Sequence, residues 1–126
     1  MKLLFLALAL FGFLFADSEE KKVVIDLTTG DVSAFEKKIL SGIVAHKTYY
    51  ENSLEELEVA VVIHGGAYRF FVKDLSKTLY KDDEKLKKVF SDLKKRVASM
   101  SDTYEVEFLM CDVGRKKHKL KLENIA

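Results

Sequence analysis

Three short apolar runs predict β-strands in this chain. They cover residues 23–27, 59–63 and 106–110, and residues that favour turns follow each of them. Short runs rich in Val and Ile, bounded by Gly, Asp or Thr, are typical of strands. The run over 59–63 shows no alternation with polar residues, which is typical of a strand buried on both faces of a parallel sheet.

Two longer helical patterns separate these runs. Ser33 and Glu36 predict a capping box at the start of the first helix, whose apolar stripe extends over residues 35–50. The second pattern covers residues 86–100, where apolar residues recur at helical spacing and lysines occupy the other face. A shorter helix is predicted over residues 67–75.

Strands that alternate with helices predict an α/β fold with a mostly parallel sheet, because parallel neighbours need crossover connections. We expect a three-layer arrangement in which a small sheet is flanked by helices. A weak alternation over Leu120–Leu122 is the only sign of a further strand. A sheet this narrow leaves edges and helix faces exposed, so an oligomer is expected.

Residues 1–16 predict a secretory signal peptide. Lys2 gives a short positive start, the stretch Leu3–Phe15 is apolar, and a small residue follows it. The apolar stretch is shorter than the about 20 residues of a membrane span. Leu14 occupies a position where cleavage sites favour a small residue, so an uncleaved or differently cleaved form is the alternative. The prediction is an exported, periplasmic protein with one domain over 17–126 and no stable membrane span after cleavage.

Charge and motifs exclude several classes of function. Lys2 is the only charged residue of the leader, and without it 20 basic residues face 20 acidic ones. This balance gives no reason to expect nucleic acid or an anionic membrane as a partner. The sequence contains no Walker loop, dinucleotide-binding fingerprint or Gly-x-Ser-x-Gly elbow, so nothing favours nucleotide-dependent or serine-hydrolase chemistry. No cofactor is predicted.

Cys111 is the strongest candidate for chemistry. It is the only cysteine and directly follows the third predicted strand, at the end where ligands of open α/β sheets bind. Arg115 and the lysines beside it would favour the thiolate, and an unpaired thiol in an oxidising compartment is unusual. We therefore predict Cys111 and Arg115 as catalytic residues. The alternatives are a buried, inert cysteine and a solvated basic face.

The second predicted strand ends in His64-Gly65-Gly66, at the same edge as Cys111. His64 would exchange protons with the thiol or orient a small anion, unless it is a structural histidine. Gly65 and Gly66 would let a ligand approach backbone amides. A tight turn that needs a positive φ is the alternative, which we favour for at least one of them. Asp112 completes the predicted ligand-binding set, although aspartates in turns usually bond their own backbone.

No metal site is predicted. The ligand types are present in His46, His64, His118 and Cys111, but none of them forms a closely spaced pair. Assembly of such residues from distant strands is the alternative.

Two motifs carry a resemblance to a known family. Residues 59–67, Val-Ala-Val-Val-Ile-His-Gly-Gly-Ala, resemble the second-strand motif of DsrE/DsrF-like proteins. Residues 106–111 resemble the strand of that family that ends in cysteine after a long amphipathic helix. The resemblance covers residues 23–125. It implies a compact α/β fold with flavodoxin-like strand order, usually oligomeric, and a link to bacterial sulfur metabolism.

The resemblance also implies a function. In the sulfur-relay members, the cysteine that matches Cys111 carries a persulfide and passes its sulfur to a partner protein. We therefore expect a sulfurtransferase-like carrier with a sulfur donor or acceptor protein as its partner. The alternative is a non-catalytic oligomeric module in which Cys111 packs and the edge at His64 holds a small ligand. Relatives commonly add a strand and a helix after the position of Ala126, so either a minimal fold or completion by a neighbouring subunit is expected.

Overall fold

The computed structural model describes residues 20–126, so the predicted leader over residues 1–16 lies outside the described residues. The elements in chain order are β1 (Glu20–Leu27), α1 (Val32–Phe35), a π-helical segment (Glu36–Ser41), α2 (Gly42–Asn52), β2 (Glu56–Ile63), a 3₁₀ helix (Gly65–Phe70), a second 3₁₀ helix (Leu75–Lys77), α3 (Glu84–Asp102), β3 (Glu107–Met110), α4 (Asp112–Lys117) and a third 3₁₀ helix (Leu122–Asn124). The three strands and the two long helical stretches are confirmed. The helix predicted over 67–75 is replaced by two 3₁₀ helices, and Leu120–Leu122 does not form a strand.

The three strands form one parallel sheet in the order β1-β2-β3. Val23 lies opposite Val59, and Ala60 lies opposite Glu107. A small parallel sheet with helices, and hence the α/β class, is confirmed. The flavodoxin-like order is wrong for these strands, because it would place β1 in the centre, which β2 occupies instead.

The helices pack against one face of this sheet. Alternate side chains of β2, from Leu57 to Ile63, are buried, while those between them are exposed or half-buried. Both long helical stretches lie on the buried side, where Arg96 of α3 pairs with Glu36 of the π-helical segment at 3.4 Å. Two right-handed crossovers that step in the same direction are expected on the same face. The three-layer prediction is therefore wrong for residues 20–126, which form two layers.

An apolar core lies between the sheet and the helices. Phe35 of α1 stacks on Phe70 of the first 3₁₀ helix, with ring centroids 4.2 Å apart and planes within 2° of parallel. Ile39 and Ile43 are almost completely buried on the same side. Each such side chain stabilises the fold by about 1.5–3 kcal/mol. The core thus fixes the 3₁₀ helix that follows β2, at the carboxyl end of the sheet.

The first helix begins at a different cap from the predicted one. Asp31 is the N-cap, and its Oδ2 accepts a hydrogen bond from the Ala34 amide at 2.8 Å. The Asp31 amide donates in turn to Thr29 Oγ1 at 3.1 Å. The capping box predicted at Ser33 is wrong because this turn starts the helix two residues earlier.

The second face of the sheet is exposed, and we call it the open face. Its residues are Glu20, Lys22, Val24 and Asp26 of β1, Glu56, Glu58, Ala60 and Val62 of β2, and Glu107 and Leu109 of β3. Val24 is 70% exposed and Leu109 is 44% exposed. The absence of polar alternation in β2 therefore did not indicate burial on both faces, since Ala60 and Val62 lie on the open face and are only half-buried.

Candidate functional site

Cys111 and His64 directly follow β3 and β2 at the carboxyl end of the sheet. The last paired residues of β2 and β3 are Ile63 and Met110, and the backbone remains extended at the next residue of each strand. Continuing the register by one residue places His64 beside Cys111. By alternation both side chains belong to the open face. Cys111 is exposed, which contradicts its interpretation as inert packing.

Asp26 adds a carboxylate to this edge. Its Oδ1 lies 3.2 Å from His64 Nε2, and the two side chains are 68% and 44% exposed respectively. A carboxylate on one imidazole nitrogen fixes the orientation of the ring. Asp26 is the penultimate residue of β1, the strand that neighbours β2. Along the edge, the order is therefore Asp26, His64, Cys111.

Tyr68 supports the backbone at Cys111 from inside the protein. It belongs to the 3₁₀ helix after β2 and is 1% exposed. Its hydroxyl donates a hydrogen bond to the carbonyl oxygen of Cys111 at 3.0 Å. Burial raises the pKa of Tyr68, and the neighbouring Cys111 thiolate raises it further, so the hydroxyl remains a donor. Tyr68 was not predicted as a site residue, although a tyrosine in a buried apolar segment usually has a hydrogen-bond partner.

His118 and Tyr80 extend this support. The His118 ring lies against Tyr68 with centroids 4.9 Å apart, and its Nδ1 is 3.1 Å from the Tyr80 hydroxyl. The Arg69 guanidinium lies 4.7 Å from the centroid of the Tyr80 ring and pairs with Asp83 at 2.9 Å. These contacts join the segments after β2, before α3 and after β3, and so fix the geometry around the thiol.

Arg115 and Asp112 bind each other. Arg115 Nε donates to Asp112 Oδ1 at 2.7 Å, and Arg115 Nη1 donates to the carbonyl oxygen of Leu120 at 2.6 Å. Lys116 lies 3.3 Å from the other Asp112 oxygen. The hydrogen bond from Arg115 and then that from Lys116 lower the pKa of Asp112. The contacts of Arg115 and Asp112, two predicted site residues, therefore stabilise α4 and the segment that follows it.

The glycine pair makes a tight turn. Gly65 has φ of 51°, which confirms the prediction of a positive φ at one of the two glycines. The Gly66 amide donates to the Thr28 carbonyl oxygen at 3.1 Å. A Cβ atom at Gly66 would lie 2.9 Å from the Gly30 nitrogen. The protein's own loop after β1 thus occupies the space in which a ligand was expected to approach.

The histidines do not converge on Cys111 as a metal site. His46 is exposed on α2, while His118 lies against Tyr68. Among residues 20–126 there is no group of three or more His, Cys, Asp or Glu side chains arranged to hold a metal ion. Within the same residues, no helix combines the length and apolar character of a membrane span.

Comparison with known proteins gives no assignment. The sequence matches no protein-family model, no curated protein and no solved structure. The site is therefore interpreted from its own chemistry. It contains the exposed thiol of Cys111, the His64 ring oriented by the Asp26 carboxylate, and a backbone carbonyl group that accepts a hydrogen bond from the buried Tyr68.

Proposed function

We propose that this protein is a periplasmic sulfur carrier of the DsrE/DsrF-like kind, which holds sulfur as a persulfide on Cys111 and passes it to a partner protein. The observation that carries the proposal is the exposed Cys111 thiol directly after β3, at the carboxyl end of the sheet. The sequence motifs around Cys111 and His64 support the family, while the strand order β1-β2-β3 does not. The predicted leader supports export, and the open edges of the sheet support a homo-oligomer.

The chemistry needs a thiolate and access for two sulfur compounds. In the loading step, the Cys111 thiolate attacks a terminal sulfur atom of a polysulfide. A new S–S bond forms at Sγ while an S–S bond of the polysulfide breaks, and the shortened polysulfide leaves with the electron pair. In the transfer step, a thiolate of the partner attacks the outer sulfur, and the Cys111 thiolate leaves. Both steps require the exposure that Cys111 has.

His64 and Asp26 have a defined part in this proposal. His64 takes the thiol proton when Cys111 becomes a nucleophile, and the Asp26 carboxylate, 3.2 Å from Nε2, orients the ring so that Nδ1 is left for that proton. Arg115 is not needed for this step, because its described hydrogen bonds go to Asp112 and Leu120. Tyr68 is a positioning residue, since it touches the carbonyl group of Cys111 rather than the reacting sulfur.

The competing hypothesis is a ligand-binding module without thiol chemistry. It requires a packed cysteine and room for a ligand at the glycine turn. Cys111 is exposed, and the approach to Gly66 is filled by Gly30, so neither requirement finds support.

Intact-mass measurement tests the proposal. The mature protein and its Cys111→Ser variant are exposed briefly to polysulfide and then analysed before and after reduction. We expect additions of single sulfur atoms on the wild type, removed by reductant, and none on the variant. Absence of additions on wild type, or equal additions on Cys111→Ser, would overturn the proposal. The mass of protein secreted by a bacterial host also shows whether the leader is cleaved after Ala16.

A further inference from the structure

We propose that the open face of the sheet is the docking surface for the partner of Cys111, and that this partner presents an apolar patch with basic residues around its own thiol. The idea of a sulfur partner depends on the proposed function. The surface itself is inferred from geometry and charge.

An apolar strip crosses the open face and leads to the thiol. Val24 and Leu109 are 70% and 44% exposed, and the half-buried Ala60 and Val62 lie between them on the central strand. Leu109 precedes Cys111 by two residues and therefore projects from the same face. A partner that covers this strip would place its own thiol next to Cys111.

Carboxylates surround the strip. They come from all three strands, at Glu20, Asp26, Glu56, Glu58 and Glu107. Lys22 pairs with Glu58 at 3.5 Å and Asp26 lies 3.2 Å from His64, so the carboxylates in excess on this face are Glu20, Glu56 and Glu107. Glu58 also raises the pKa of Glu20 through a shared hydrogen bond, which shows how closely the carboxylates approach. Glu107 lies four residues before Cys111, about 13 Å along the strand. A partner with lysine or arginine at that distance from its thiol would be complementary.

The dimensions favour a transient partner over a second copy. Three strands of this length cover on the order of 400 Å². Stable dimers bury about 800 Å² on each subunit. A second copy docked on this face would also bring the same excess of carboxylates with it, which opposes association. Sulfur transfer requires only a short encounter, which a small charged surface supports.

Two synthetic peptides test the surface directly. Each contains one cysteine between Val and Leu, activated as a 2-pyridyl disulfide, and carries either two lysines or two glutamates. The Cys111 thiolate attacks the peptide sulfur, a protein–peptide disulfide forms, and pyridine-2-thione leaves with the electron pair. Its absorbance gives the rate, which is divided by the rate with uncharged iodoacetamide to remove the intrinsic reactivity of the thiol.

We expect the lysine peptide to react on the order of tenfold faster than the glutamate peptide at low ionic strength, with the ratio falling as salt is added. The double variant Glu58→Gln/Glu107→Gln should lose most of this preference. The control Glu84→Gln/Asp92→Asn, which removes two exposed charges from α3 in the other layer, should keep it.

Equal rates for the two peptides, or a preference that survives Glu58→Gln/Glu107→Gln, would overturn the docking surface. Failure of both peptides to react until Leu109→Asp is introduced would also overturn it and would show that a second copy covers the face. The readout is independent of sulfur loading. Sulfur loading without a peptide preference would therefore overturn only the docking surface. A peptide preference without sulfur loading would overturn only the proposed sulfur carrier.

Discussion

The buried hydroxyl of Tyr68 holds the backbone of Cys111 through a hydrogen bond of 3.0 Å to its carbonyl oxygen. The two residues are 43 positions apart and belong to segments that follow different strands. The contact links the core to the exposed thiol, because Tyr68 is itself 1% exposed. The geometry of the candidate nucleophile is therefore set from the interior.

Tyr68→Phe is expected to lower the free energy of unfolding by about 1 kcal/mol, since it removes one hydrogen bond while keeping the ring. Urea unfolding followed by circular dichroism measures this change. Tyr49→Phe is the matched control, because Tyr49 is 69% exposed and should tolerate the loss of its hydroxyl. Equal stability of Tyr68→Phe and wild type would contradict the assigned role of the hydrogen bond.

Gly114→Ala should destabilise the protein by about 1–3 kcal/mol through overpacking. A Cβ atom there would collide with the Tyr68 hydroxyl and would lie 2.8 Å from its ring atom Cζ. In the double variant with Tyr68→Phe the colliding hydroxyl is absent, so the combined loss should be smaller than the sum of the single losses. A strictly additive double-mutant cycle in urea unfolding would argue against this collision.

His64→Gln should slow alkylation of Cys111 by iodoacetamide by at least about tenfold, because the residue that takes the thiol proton is lost. Asp26→Asn should give a smaller decrease, since it removes only the carboxylate at 3.2 Å from His64. His46→Gln, at an exposed position of α2, serves as the control and should leave the rate unchanged. An unaltered rate in His64→Gln would remove His64 from the proposed mechanism.

Asp31→Ala should lower the free energy of unfolding by about 1 kcal/mol through loss of the N-cap. The Asp31 carboxylate accepts from the Ala34 amide at 2.8 Å, whereas Ser33 lies inside the helix and is exposed. Ser33→Ala should therefore be nearly neutral in the same thermal or urea unfolding experiment. A larger loss of stability in Ser33→Ala than in Asp31→Ala would instead support the capping box predicted at Ser33.

The α4 helix should loosen in acid. The hydrogen bonds from Arg115 and Lys116 lower the pKa of Asp112 below its ordinary value of 3.8 in the folded protein. The stabilisation is therefore present above that ordinary value and is lost as the pH falls through the folded pKa. NMR titration of the Asp112 carboxyl and of the α4 amides measures this. In Asp112→Asn the α4 amides should lack this transition. In the wild-type protein, an Asp112 carboxyl pKa at or above 3.8 would contradict the ion pair.

Local sequence patterns were sufficient to predict the strands and the long helices. The apolar run over 59–63 and the helical spacing over 86–100 correspond to β2 and α3, because burial of one face imposes a period that the sequence displays. The N-cap was misplaced because Asp31 and Ser33 are both good caps, and the choice depends on the path of the preceding turn.

By itself, the sequence determined the α/β class, the strands that directly precede His64 and Cys111, and the positive φ at one of the two glycines. Only the tertiary structure decided the strand order, the covering of one face of the sheet, and the contacts of Tyr68 and Asp26 with the site. The physical reason is that periodicity records whether a side chain is buried, not which strand lies beside it or which distant group satisfies its hydrogen bonds.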